Sequence, residues 1–181
     1  MLLQLGSFFT KYAQLDEDGD SSEKFIGING ILQLADDLAV DAESDVALLV
    51  LFWKLGVTEC AHYTVTTLWC TFWTELSSVD RQGSITERDF MKLGAMQCHN
   101  LEQLRAKLPW LRARVRPSQD LSAVYKFAWT FTEPQAKSME LEDAIGLWRM
   151  LLADQFKTFD LEAFCKFLTQ EHKKKIPRAQ F

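Results

Sequence analysis

Apolar residues in this chain return every three or four positions, a spacing that predicts helices along most of its length. Leu2, Leu5, Phe9 and Tyr12 mark the first, and Ile31, Leu34, Ala35 and Leu38 the second. Leu101, Leu104 and Leu108 form a stripe that Pro109 is expected to close. Leu141, Ala144, Ile145 and Trp148 continue to Leu151 and Leu152. Leu161, Phe164, Phe167 and Leu168 form the last stripe, with Asp160 placed to cap it. One stretch reads both ways. Tyr125, Phe127, Trp129 and Phe131 alternate as in a strand, whereas Leu121, Val124, Ala128 and Phe131 fit a helix. Its helical neighbours favour the helix. Breaks are expected at 16–23, 77–83, 116–120 and 132–138, and there is no internal repeat of solenoid type. The expected fold class is all-α.

Length points most simply to one domain, or to two small helical halves that share a core. A chain of 181 residues that is 48% hydrophobic, with 6 Trp and 13 Phe, can fill a core; 8 Gly and 4 Pro argue against a β-sandwich or a disordered chain. The net charge of −5 is unevenly spread. Residues 1–60 carry eleven acids against Lys11, Lys24 and Lys54, whereas 105–116 hold five bases and no acid; Lys173, Lys174, Lys175 and Arg178 crowd the end. Opposite patches favour protein partners. The four cysteines lack a CxxC pair, as reduced intracellular thiols would. The longest uncharged apolar run, VALLVLFW, falls far short of the ~20 residues a membrane span needs. The opening MLLQLGSFFTKY lacks a basic n-region and reads as a structural helix. A cytosolic or nuclear protein is expected, with no membrane partner.

Candidate chemistry mostly fails on spacing. A calcium loop begun at Asp16 has acids at positions 1, 3 and 5, but Ser21 stands where Gly is needed and Gly27 where a bidentate carboxylate is needed. A second loop begun at Ser78 places Gly83, Ile85 and Asp89 correctly but carries little charge. His62, His99, His172 and the cysteines form no spaced ligand quartet, and there is no GxSxG, HExxH or Walker sequence. The GINGI turn lacks dinucleotide spacing, and adjacent Asp36 and Asp37 read as a solvated helix face. The stretch RAKLPWLRARVRP is basic around Trp110, yet short and set in an acidic protein, so no nucleic acid is expected. No cofactor, no metal and no covalent active site are expected. A calcium-responsive adaptor that binds a target helix is the alternative from another functional class.

Several blocks occur in a telling order: FIGINGILQLADDLAVD, LLVLFWKLGV, LEQLRAKLP, VYKFAWTF, MELEDAIGLWRMLL, FKTFDLEAFCKFL and EHKKKIP. Together they closely resemble the potentiating-neddylation domain of the defective-in-cullin-neddylation proteins, over nearly the whole chain. The resemblance implies a single domain over 1–181, made of paired EF-hand-like halves without metal (1–90 and 91–181). It implies a scaffold ligase for cullin neddylation with no covalent intermediate. The partner is the neddylation conjugating enzyme, whose acetylated N-terminal methionine docks in an apolar cleft. By motif, Ile31, Leu34, Leu48, Leu51, Leu55, Tyr63, Phe131 and Met150 would line that cleft. Three departures qualify this expectation. Ala179 stands where the family has an acidic cullin-contacting Asp and the family's last helices are missing, so a C-terminally shortened form is expected and cullin engagement stays open. The segment 68–88 is longer than the family's usual one, and no ubiquitin-associated domain is expected ahead of the scaffold. An inactive relative that sequesters the conjugating enzyme fits the same pattern.

Overall fold

Asp45, Thr86, Asn100 and Asp160 each turn a side-chain oxygen back onto the first turn of a helix. They accept from the N–H groups of Ala47 (2.9 Å), Asp89 (3.2 Å), Gln103 (2.9 Å) and Ala163 (2.9 Å). Each cap satisfies a donor that the helix itself leaves orphaned. The structure, a computed structural model, describes residues 2–13, 24–42, 44–57, 84–116, 119–132, 137–152, 159–170 and 175–177. Within them the helices are α1 (Leu2–Ala13), α2 (Ile28–Leu38), α3 (Val46–Leu55), a short α4 (Glu87–Phe90) running into a 3-10 turn (Met91–Met96), α5 (Leu101–Ala113), α6 (Gln119–Thr132), α7 (Leu141–Leu152) and α8 (Leu161–Gln170). The fold is mostly helical, as the periodicity predicts. No helix among these residues is long and apolar enough to cross a membrane.

Among the described residues, four short strands pair distant parts of the chain. Between α1 and α2 lies β1 (Phe25–Ile26), which runs antiparallel to β2 (Ile85–Thr86), with Ile26 opposite Ile85. Between α6 and α7 lies β3 (Ser138–Glu140), which runs antiparallel to β4 (Lys175–Pro177), with Met139 opposite Ile176. Both apolar pairs are buried, so each small sheet is fixed to the core by side chains as well as by its ladder.

Helix α3 is the hub. Val46 to Phe52 and Leu55 are all buried, and the helix packs against both α5 and α6. A helix that is apolar all round belongs inside. Around it, α1 packs on α2 and the 3-10 turn, and α7 packs on α8 and the second sheet. The buried residues form one continuous cluster from Leu5 to Ile176.

Two expectations need correction. Helix α5 does not stop at Pro109 but continues to Ala113, burying Leu111. Pro109 and Arg105 are both exposed, so the carbonyl that loses its partner lies on the solvent side, while Leu104, Leu108 and Leu111 hold the helix to the core. In α8 the buried stripe is Cys165 and Leu168, whereas Phe164 and Phe167 are 37% and 53% exposed. The stretch read both ways is helical, with Val124, Ala128 and Phe131 buried. The breaks expected at 16–23 and 77–83 lie outside the described residues.

Candidate functional site

The residues expected to form the cleft come from four helices. In α2, Ile31 and Leu34 share the buried face with Gly30, Ala35 and Leu38. That helix is held at its far end by Asp37, whose carboxylate accepts from Lys11, from the Tyr12 hydroxyl (2.8 Å) and from Gln33 (2.9 Å). Lys11 first, then Tyr12, draws the Asp37 carboxyl down to about 2. Burial, reinforced by the neighbouring carboxylate, pushes the Tyr12 phenol up to about 12. The guanidinium of Arg105 in α5 donates to the Asp37 backbone carbonyl.

Helix α3 supplies Leu48, Leu51 and Leu55, all buried. Its N-cap Asp45 also accepts the guanidinium fork of Arg112, with Nε 3.0 Å from Oδ2, which fastens α3 to α5. At the other end Gly56 takes a φ of 67°, a left-handed cap that glycine fills without strain. Lys92 donates to the Leu55 carbonyl there.

Phe131 comes from α6 and is 6% exposed. Its ring lies 5.6 Å from Phe52 of α3 and stacks on Phe127 at 5.2 Å, so α3 and α6 meet through aromatic packing. Phe52 belongs to this cluster although the motif comparison passed over it. Met150 of α7 is half-buried and packs against the core. Next to it in sequence, the Trp148 indole N–H donates to the Tyr125 hydroxyl (2.7 Å), tying α7 to α6. Tyr63 and Ala179 lie outside the described residues. The structure therefore places Leu48, Leu51, Leu55 and Phe131 where α3 meets its neighbours, Ile31 and Leu34 on the α2 face, and Met150 at the edge of the core.

Nothing in this cluster is a nucleophile. Burial pushes the Cys98 and Cys165 thiols up, which keeps both neutral. The charge asymmetry of the sequence is partly spent inside the chain: Arg105, Arg112 and Arg114 of the basic segment reach Asp37, Asp45 and Asp120.

Residues 103–181 match the sequence model of the family described as Cullin binding. Over 176 residues the chain is 25% identical to DCN1-like protein 4 of Danio rerio, covering 96% of this chain and 51% of that protein. With DCN1-like protein 4 of Homo sapiens the identity is 26%, over 96% of this chain and 49% of that one. With DCN1-like protein 5 of Bos taurus it is 22%, over 91% and 57%. The chain is thus similar to DCN1-like proteins over most of its length, and its second part matches the Cullin binding model. It spans about half the length of the curated relatives it matches.

Proposed function

We propose that this chain acts in cullin neddylation, as a scaffold that holds the acetylated N-terminus of the conjugating enzyme and brings it to its acceptor. The observation that carries this reading is the apolar junction around α3, where Leu48, Leu51, Leu55 and Phe131 gather against helices inside the matched cullin-binding segment. Holding two reactants together converts an encounter in solution into a nearly unimolecular step, and needs no catalytic side chain. Acetylation suits an apolar cleft because it removes an ammonium group whose burial would be costly. The two small sheets support an EF-hand-like pairing, since each joins two helix-flanked segments. A cytosolic or nuclear site of action belongs to the same proposal.

Two observations weigh against the calcium-responsive alternative. Asp89, the last ligand of the better loop, already holds Lys92 (2.7 Å) and the Thr86 hydroxyl (2.9 Å). The pairing of Ile26 with Ile85 also matches the loop from Ser78 to one beginning at Gly19, whose twelfth residue, Gly30, has no carboxylate.

The test is calorimetric titration with the conjugating enzyme's N-terminal peptide, acetylated and free. The acetylated form should bind and the free form should bind at least about tenfold more weakly, a difference of about 1.4 kcal/mol. Met150→Lys should abolish binding of the acetylated form while the melting temperature moves by only a few degrees. Equal binding of both peptides, or of neither, would overturn the cleft.

A further inference from the structure

We propose that the exposed face of α5 around Trp110 is a second docking surface, and that its occupant is an acidic segment of a partner protein. Three cations converge on the half-buried Trp110 ring: the Arg114 guanidinium at 4.2 Å from its centroid, Lys107 at 5.1 Å and Lys54 at 5.9 Å. Lys54 also lies 4.1 Å from the Trp53 ring, which is half-buried beside it. Lys107, Trp110 and Arg114 are spaced three and four residues apart, so one helix face presents them together. Lys54 and Arg114 both reach Asp120, at 3.8 and 3.1 Å, whereas Lys107 stands in no ion pair among the described residues. Lys107 thus lies over an aromatic ring with no carboxylate paired to it among the described residues, and an acidic partner would supply one.

The form of the surface selects its occupant. From Lys107 to Arg114 the helix rises only about 10 Å, room for two or three carboxylates and not for a track of phosphates. The rings of Trp53 and Trp110 add an apolar floor that a peptide with side chains of its own can use. This surface stands apart from the apolar cleft proposed above, and its test does not depend on that cleft.

The test is fluorescence anisotropy of the whole chain with labelled decaglutamate at about 50 mM salt, where screening is weak. Wild type should bind it. Lys107→Glu should weaken binding about tenfold or more with an unchanged melt, and Lys107→Arg should keep it. Lys166→Glu on α8 removes an exposed cation away from Trp110 and should leave binding unchanged. If Lys107→Glu fails to fold, Lys107→Gln takes its place and should weaken binding in the same direction. Equal loss in the Lys107 and Lys166 variants, or no binding by wild type at about 1 mM, would overturn the surface. Tighter binding of labelled deca-thymidylate than of the peptide would overturn the occupant.

Discussion

The carboxylate of Asp37 gathers three donors from two helices, and its energetics follow from that crowding. Lys11 contributes a charge, while Tyr12 and Gln33 contribute neutral hydrogen bonds. With its folded value near 2 against an ordinary 3.8, Asp37 stabilises the fold fully above about pH 4, and that contribution disappears as the pH falls toward 2. Tyr12 works in the opposite range: its raised value stabilises the neutral phenol, and this is lost as the pH rises from 10 toward 12. Asp37→Asn keeps the shape and an acceptor but removes the charge. Because Lys11 is half-exposed, solvent screening limits the loss to about 1 kcal/mol at pH 7. Urea unfolding of both proteins should show that gap at pH 7 and none near pH 2. A gap that does not change with pH would mean the charge is not its source.

Helix α5 carries the clearest conflict at the scale of elements, because Pro109 stands inside it and α5 still runs on for another turn. Proline in a helix interior is roughly 3 kcal/mol worse than alanine, and α5 tolerates it because Leu104, Leu108 and Leu111 are buried on the other side. Pro109→Ala should therefore stabilise the protein by about 1–3 kcal/mol in denaturant melts, with no change in fold. A neutral or destabilising result would mean that the break in the ladder is itself used. The same helix shows what the sequence makes legible. Stripes such as Ile31, Leu34, Ala35 and Leu38, and caps such as Asp160, can be read because helix period and end chemistry are local. Two-residue strands such as Phe25–Ile26 have no period to read. The exposure of Phe164 and Phe167 could not be read either, since an aromatic stripe looks the same whether it faces a core or solvent. For the candidate site, Leu48 and Phe131 were legible as apolar positions, but the pattern does not separate core from cleft. The ties that position them, Lys11 to Asp37 and Arg112 to Asp45, join residues 26 and 67 apart in the chain, and no local pattern encodes such a pairing.

Across the whole molecule the decisive feature is that α3 lies in the first half of the chain and packs on α5 and α6 of the second. Buried residues from both parts of the chain form one cluster, so if 1–90 and 91–181 are two halves, a loss at the hub is expected to be felt by both. Leu51, 1% exposed on α3, provides the test. Leu51→Ala removes buried methyl groups and leaves a cavity, a change that costs about 2–5 kcal/mol in well-packed cores. If the halves are one cooperative unit, far-ultraviolet dichroism and tryptophan fluorescence should report a single coincident unfolding transition, in wild type and in the variant alike, with the variant's midpoint lowered. Separate transitions, with only one displaced by Leu51→Ala, would mean that the halves fold independently. In that case the junction between α3 and α6 would be a contact between preformed units, able to open without loss of either half. A single transition would instead mean that a cleft at this junction opens only by local repacking of Leu48, Leu51 and Phe131, with the rest of the core intact.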